Sequence, residues 1–393
     1  MNRGILTTNG HEFSRMGRGG RVKGQVLCRD HANARGQAGD GGGALGGRIW
    51  DCAWGRGCFN EGMILRVGFF FLVVGLVSGL AHGPGKENDF AGRRVLLIGI
   101  DGCRPDALRK VVEAGRAPNL GALMATGTVS WNAYTGGELN SETLQETSSG
   151  PGWTTILTGV WRDRHGVMDN RFRVQRIAEH PHVFRRLKDA VPTAWVASFC
   201  DWPEIHRNIV GASEKPGVSF VDFCYTLVSA PARKGTDYEE NDAKLTEMAV
   251  EKIRTENPDA IFMYFGNVDE TGHGVAHQNG RFSPENAEYL ASIAVVDGHV
   301  GSLLAAIRGR PRYAEENWLI LGVTDHGGVE KTHGKQSAEE RSIWMFANGG
   351  LFPRGKVIEA AIPQTAIAPT IFRHFGLPAP AEWGKALWGK DEG

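Results

Sequence analysis

The chain has 393 residues, of which 44 are Lys or Arg and 44 are Asp or Glu, so its formal net charge is zero. A chain of this length forms one large domain or two ordinary ones. Zero net charge excludes a nucleic-acid-binding protein that works through a basic surface, because such a surface needs an excess of Lys and Arg. Six cysteines in so long a chain exclude a small fold held together by disulfides.

Residues 1–62 differ in composition from the rest of the chain. They show no apolar period of 2 or 3.6 residues, and positions 41–43 and 46–47 are all glycine. A segment of this kind buries too little apolar surface to offset the entropy that it would lose on folding. We therefore expect a disordered leader over residues 1–62.

A basic segment and an apolar run follow at residues 63–81. The run VGFFFLVVGLVSGL covers residues 67–80 and is preceded by Arg66. These are features of a secretory signal peptide, and the run is shorter than the ~20 residues that span a bilayer. We expect translation to begin at Met63 and an exported protein, periplasmic or extracellular, whose single domain covers residues 82–393. Cleavage would leave no stable membrane span, whereas a retained segment would leave a membrane-anchored form.

From residue 93 onward, apolar runs alternate with amphipathic stretches. Four continuous apolar runs suit buried strands: 93–101, 193–199, 259–269 and 317–325. Stretches with helical character lie between or beside them: 105–114, 182–190, 244–256 and 286–307. This alternation predicts an α/β fold of three layers, α/β/α, in which helices cover both faces of a mainly parallel central sheet. Residues 200–243 show no clear period, so we expect them to be irregular.

Three of the predicted strands end in an aspartate, namely Asp101, Asp269 and Asp325. Ligand sites in open α/β sheets lie just beyond the carboxyl ends of the strands. The pattern therefore predicts that the three carboxylates meet at one edge of the sheet.

Three histidines accompany these aspartates. His273 follows Asp269 by four residues, His326 is adjacent to Asp325, and His333 comes seven residues later. Asp and His side chains in Gly-rich loops at such an edge are typical ligands of a borderline cation such as Zn²⁺. A structural interpretation fits the same spacing, because an aspartate at a strand end often caps a helix and a lone loop histidine is often solvated.

A hydroxyl-rich segment, ETSSGPGWTTILTG, covers residues 146–159. Ser148 and Ser149 precede an apolar, helix-like turn. A serine hydroxyl beside the backbone N–H groups of a helix N-terminus suits a nucleophile that faces an anion. An ordinary serine N-cap fits the same residues.

Five segments resemble, in their order, the motifs of the alkaline phosphatase superfamily and in particular of its type I phosphodiesterase/nucleotide pyrophosphatase branch. Four read LLIGIDGCRPD, SSGPGWTTILTGVWRDRHGVMDN, DETGHG and TDHGG over about residues 93–335, and QTAIAPTIFRHFGLP follows at 364–378. The resemblance implies an alkaline phosphatase-like fold. It also implies a hydrolase that uses two divalent metal ions, for which we expect Zn²⁺.

The resemblance assigns a role to each residue that matches a motif of the branch. Ser149 would be the nucleophile, and Asn170, with a backbone N–H near Gly150, would donate to a phosphate oxygen. The metal ligands form two sets: Asp101, Ser149, Asp325 and His326 for the first metal, and Asp269, His273 and His333 for the second.

The chain departs from the branch in three places. Residues 150–153 read Gly-Pro-Gly-Trp instead of Phe-Pro-Asn-His, which alters the walls of the leaving-group pocket and suggests that Trp153 stacks on a base or sugar. Ser149 replaces the commoner Thr. The last histidine of the branch lies far downstream, so His277 competes with His333 for the second metal.

The implied reaction is hydrolysis of a phosphodiester or pyrophosphate bond in a small-molecule substrate, through a phosphoserine at Ser149. Two cations roughly 4 Å apart would stabilise the attacking and leaving oxygens. The Cys/Ser-x-Pro-x-Arg signature of sulfatases is absent, and we expect Cys103 to pack in the core. Alternatives are a phosphomonoesterase or sulfatase of the same superfamily, and a non-catalytic extracellular binding protein that keeps the fold.

Overall fold

A computed structural model describes residues 25–27, 92–211, 220–227 and 237–387. The predicted signal peptide lies outside the described residues, as does the predicted leader apart from three residues. Both therefore stay predictions, together with the domain boundary at residue 82.

The described residues form a ten-stranded sheet. Its strands are β1 (Gln25–Leu27), β2 (Arg93–Ile100), β3 (Thr128–Tyr134), β4 (Val196–Cys200), β5 (Phe223–Leu227), β6 (Ala260–Phe265), β7 (Asn317–Val323), β8 (Ser342–Gly349), β9 (Lys356–Ile358) and β10 (Ile362–Pro363). The strand order is β1-β5-β4-β6-β2-β7-β8-β3-β10, and β9 pairs with β3. Strands β5, β4, β6, β2 and β7 run parallel, whereas β8 is antiparallel to both of its neighbours. The predicted, mainly parallel sheet is confirmed.

The described helices are α1 (Pro105–Glu113), α2 (Pro118–Thr126), α3 (Ser149–Thr158), α4 (Arg162–His165), α5 (Val183–Ala190), α6 (Asp237–Thr255), α7 (Asn267–Gly272), α8 (Ala287–Arg308), α9 (Ala338–Arg341) and α10 (Ile367–Phe375). Helices α1 and α2 each begin with a proline, whose missing N–H costs nothing at the first position of a helix. Helix α10 ends at Phe375 and is followed by Gly376, which adopts a left-handed conformation that favours glycine.

Successive side chains of β2 enter two different apolar cores. Val95 and Leu97 pack in the core that also contains side chains of α3, α5 and α10. Leu96 and Ile98 pack in a second core with side chains of α1, α2, α6 and α8. Because successive side chains of a strand point to opposite faces of the sheet, the two cores lie on its two faces, and the three-layer architecture follows.

Helix α8 is, within the described part of the chain, the one helix whose length and composition would allow it to cross a membrane. Half of its most apolar window is buried in the protein. It also contacts α1, α2, α6 and α7, so it packs as a core helix of this domain.

The prediction that residues 200–243 are irregular is wrong in part. Strand β5 lies within this segment, and Ile205–Val210 form a π-helical turn. Strand β5 is short and its central three residues are buried, so it shows no alternation that would mark it in the sequence.

Candidate metal centre

The three predicted aspartates lie at one edge of the sheet, because β6, β2 and β7 are adjacent and parallel. Asp101 follows β2 directly, and Asp325 is the second residue after β7. Asp269 lies in the first turn of α7, and not at the end of a strand as predicted. All three carboxylates are buried. The carboxyl ends of three central strands thus concentrate negative charge in one place.

Asp101, Asp325 and His326 form one group of potential metal ligands, whose ligand atoms all lie within 4.8 Å of one another. His326 Nε2 is 3.4 Å from Asp101 Oδ1 and 3.3 Å from Asp325 Oδ2. The predicted nucleophile joins this group, since Ser149 Oγ is 3.4 Å from Asp101 Oδ1 and 3.3 Å from His326 Nε2. Ser148 occupies the N-cap position of α3, but its hydroxyl makes no capping hydrogen bond.

Asp269, His273 and His333 form a second group with the same spacing. His273 Nε2 lies 3.3 Å from Asp269 Oδ2 and 3.0 Å from His333 Nε2. The structure therefore brings His333, and not its competitor His277, to Asp269. Helix α7 ends before Gly274, whose φ of +74° turns the chain, and His277 is exposed.

Backbone carbonyls orient all three histidines. The Nδ1 atoms of His326, His273 and His333 lie 2.8, 2.9 and 3.1 Å from the carbonyl oxygens of Gly327, Lys331 and Thr147. A carbonyl oxygen only accepts, so each Nδ1 carries a proton and each Nε2 is directed at the ligand groups. Metal-binding histidines are held in this way.

The residues present fit two divalent cations. The buried atoms Asp269 Oδ1 and Asp325 Oδ2 have no hydrogen-bond partner among the described residues, which is uncommon for buried acceptors. The Nε2 atoms of His273 and His333 also face each other at 3.0 Å, a separation that needs a proton or a metal ion between them. A cation in each group would satisfy these atoms, and mixed nitrogen and oxygen donors suit Zn²⁺ or a similar metal.

The pKa values of the ligand residues in the metal-free protein also indicate a cation site. Burial and the nearby Asp269 raise the pKa of Asp101 to about 6. Burial also raises the pKa of Asp325 well above its usual range. Burial opposes charge on His273, but the adjacent Asp269 raises the pKa of His273 to about 10. A proton thus stabilises these groups without a metal, and metal binding would release it.

Asn170 lies against the first turn of α3. Its Oδ1 accepts the backbone N–H of Gly150 at 2.7 Å. The N–H near Gly150 that we expected to face the substrate is therefore bound to Asn170 instead. This bond fixes the amide and leaves Asn170 Nδ2 as its donor group.

The expectation that Trp153 stacks on a substrate is wrong. Its side chain is fully buried, and its Nε1 donates to Asp101 Oδ2 at 2.9 Å. Tyr264, which no sequence motif indicates, donates its hydroxyl to the same oxygen at 2.7 Å. Cys103 packs in the core as predicted, and burial raises the pKa of its thiol, so it has no character of a nucleophile.

Two comparisons of the sequence with known proteins find similarity. The family model described as type I phosphodiesterase / nucleotide pyrophosphatase matches residues 95–339. A venom phosphodiesterase from Macrovipera lebetinus is 22% identical over 178 residues, which are 44% of this chain and 19% of that protein. The chain thus spans about a fifth of the length of this curated relative.

Solved structures share the fold over about three quarters of the chain. A 2-O GAG sulfatase superposes with a TM-score of 0.58 at 16% identity, covering 75% of this chain and 73% of its own. The phosphonate monoester hydrolase of Silicibacter pomeroyi gives 0.52 at 17% identity, with 75% and 76% covered. Murine ectonucleotide pyrophosphatase/phosphodiesterase 5, in complex with AMP, gives 0.51 at 16% identity, with 75% and 98% covered.

The matched segment begins in β2 and ends in α9, so it contains both ligand groups, Ser149 and Asn170. It also covers more than half of the chain. The chain therefore belongs to the type I phosphodiesterase / nucleotide pyrophosphatase family.

Proposed function

We propose that this protein is an exported two-zinc hydrolase that cleaves phosphodiester or pyrophosphate bonds in small-molecule phosphate esters. One observation carries the proposal. The hydroxyl of Ser149, at the start of α3, lies 3.3–3.4 Å from the ligand atoms of His326 and Asp101. A serine in this position can act as a nucleophile that a metal activates.

The two ligand groups would hold one divalent cation each. Bound there, zinc would stabilise the alkoxide of Ser149 and balance the charge of the phosphoryl oxygens. The carbonyl oxygens that fix the three histidines would keep the Nε2 atoms directed at these ions.

Ser149 carries the covalent step. As its Oγ loses the hydroxyl proton and forms a bond to phosphorus, the bond between phosphorus and the leaving oxygen breaks, and the alcohol or phosphate departs with one proton. Because α3 begins at Ser149, the positive end of the helix dipole lies at this residue and favours the anionic phosphoryl group. Water then attacks phosphorus from the opposite side, the bond to Oγ breaks, and a proton from the attacking water restores the hydroxyl of Ser149.

Asn170 supports the negative charge that develops on the phosphoryl oxygens. The N–H of Gly150 holds its Oδ1, so its Nδ2 is preorganised as a neutral donor. We expect Asn170→Ala to lower kcat by about 10²–10³-fold, as for the loss of one oxyanion donor. Steady-state kinetics on a nitrophenyl phosphodiester measures this, and an unchanged kcat would exclude the role.

A second candidate is hydrolysis of sulfate esters, phosphonates or phosphomonoesters. It is favoured by the similarity to the 2-O GAG sulfatase and to the phosphonate monoester hydrolase. Against sulfate, residues 149–153 read Ser-Gly-Pro-Gly-Trp, so Trp153 stands where the sulfatase signature ends in Arg. The match to the phosphodiesterase family supports the first candidate.

The test is to assay the purified protein with zinc on three nitrophenyl esters: a phosphodiester, a phosphomonoester and a sulfate. We expect the phosphodiester to give the highest kcat/KM. Dominant turnover of the monoester or the sulfate would support the second candidate. A protein that binds no metal and turns over no ester would be a binding protein with this fold.

Export is supported by the sequence of residues 63–81. N-terminal sequencing of the native protein tests it, with a start near residue 82 as the expected result. Recovery of residues 1–62 on the native protein would contradict both the cleavage and the start at Met63.

A further inference from the structure

The two oxygens of Asp101 have different surroundings. Oδ1 faces the reactive side, 3.4 Å from both Ser149 Oγ and His326 Nε2. Oδ2 accepts the indole N–H of Trp153 at 2.9 Å and the hydroxyl of Tyr264 at 2.7 Å. A carboxylate oxygen has two lone pairs in its plane, so these two donors occupy Oδ2 fully.

Packing against neighbouring residues holds the indole of Trp153 at Asp101 Oδ2. Trp153 packs against the backbone of β2 at Gly99, where a Cβ atom would lie only 2.4 Å from the indole ring. The ring also contacts Phe262 and Tyr264, with centroid distances of 5.8 and 5.4 Å. Any residue other than glycine at position 99 would displace the indole from Asp101.

We propose that Trp153 is a positioning residue, which together with Tyr264 holds Asp101 Oδ2 so that Asp101 binds the first metal through Oδ1 alone. This inference rests on the proposed two-zinc site. The two donors fix the rotation of the carboxylate, and Oδ1 is thereby directed to the side of Ser149 and His326. Without them the carboxylate can rotate and lose its alignment with the other ligands.

The test measures zinc affinity, which does not depend on turnover. Metal-stripped full-length protein is titrated with zinc against a chromophoric chelator for the wild type and for Trp153→Phe, which keeps an aromatic ring and removes the N–H. Partners that orient metal ligands typically contribute 10–100-fold to metal affinity. We expect Trp153→Phe to weaken one of the two zinc sites by about 10-fold or more and to leave the other unchanged.

Trp318→Phe is the matched control. Trp318 is also buried, and its Nε1 also donates to a carboxylate, that of Glu316 at 2.8 Å. It lies at the amino end of β7, whereas the metal ligands lie beyond the carboxyl ends of the strands. Both variants lose a similar amount of packing and one indole–carboxylate hydrogen bond. A purely structural role of Trp153 predicts that the two variants lose thermal stability alike and bind zinc alike.

A folded Trp153→Phe variant that binds both zinc ions as tightly as the wild type would overturn the proposal. If this variant does not fold, Tyr264→Phe, which removes only a hydroxyl, must show the same selective loss of zinc affinity. A wild type that binds two zinc ions but hydrolyses no ester would refute the proposed reaction and leave the positioning role to be decided by the titration. A wild type that binds no zinc would refute both.

Discussion

Replacing Gly152 with alanine is predicted to disturb the metal centre through one added methyl group. A Cβ atom at position 152 would lie 2.9 Å from Asp325 Cβ and 3.3 Å from Asp325 Oδ2. Non-bonded carbon atoms are most stable at about 3.5–4.0 Å, so one of the two segments must move by roughly 0.5–1 Å. Asp325 is buried beneath α3, and its Oδ1 accepts the N–H of Gly102, so little room exists for this movement.

The expected effect on catalysis follows from this displacement. A misplacement of about 1 Å can lower a rate by roughly 10²-fold, which corresponds to about 2.7 kcal/mol of transition-state stabilisation. We expect kcat/KM of Gly152→Ala on a nitrophenyl phosphodiester to fall by about this factor. Zinc affinity should fall with it, because Asp325 belongs to the first ligand group.

Gly298→Ala is the matched control, because it adds the same methyl group at a position where the methyl group causes no steric clash. Gly298 is an exposed residue inside α8, and no atom of a neighbouring described residue lies within 4 Å of an added Cβ atom. Alanine should stabilise this helix by up to about 1 kcal/mol and leave activity unchanged. Equal kcat/KM and equal zinc affinity of Gly152→Ala and Gly298→Ala would refute this prediction. The position of Asp325 would then not limit metal binding or the reaction.

Three further predictions test other parts of the site and fold. Ser149→Ala should lower kcat by several orders of magnitude with nearly normal zinc content, and retained activity would move the nucleophile to Ser148. His333→Ala should lose one zinc ion per chain, measured by elemental analysis, whereas His277→Ala should keep both; the reverse result would reassign the second site. Four of the histidines outside the ligand groups should stay uncharged down to about pH 5, because burial lowers their pKa, to about 3 for His165 and His182 and to about 4 for His206 and His374. Below their ordinary pKa of 6.5 the unfolded chain binds protons that the folded chain does not bind, so each of these histidines by itself lowers the free energy of unfolding in acid, whereas the buried carboxyl groups of Asp201, Asp242 and Glu270, whose pKa burial raises, have the opposite effect. NMR titration of the imidazole signals between about pH 7 and about pH 5 measures the prediction, and a ring among these four that gains its proton near pH 6.5 would contradict its burial.

The sheet edge that carries the site could be predicted from the sequence. Continuous apolar runs mark β2, β6 and β7 because strands of a parallel sheet are buried on both faces. The polar residues that end such runs must lie at the carboxyl edge, so the sequence alone places Asp101 and Asp325 together.

The orientation of individual side chains could not be predicted in this way. Trp153 lies four residues after the nucleophile, which suggests a substrate contact, but it turns into the core because Gly99 leaves space for its ring. His333 is placed at the second group by the carbonyl of Thr147, 186 residues away in the chain. Contacts of this kind depend on packing between distant segments, and spacing within a motif does not reveal them.

The most direct test of the central claim is to trap the covalent intermediate on Ser149. The zinc-loaded protein is quenched in acid during turnover of a nitrophenyl phosphodiester, digested and analysed by mass spectrometry. We predict that the peptide containing Ser149 carries one phosphoryl ester group, and that the same peptide from Ser149→Ala carries none. Steady turnover without any modified peptide, or a phosphoryl group on Ser148 instead, would contradict the account.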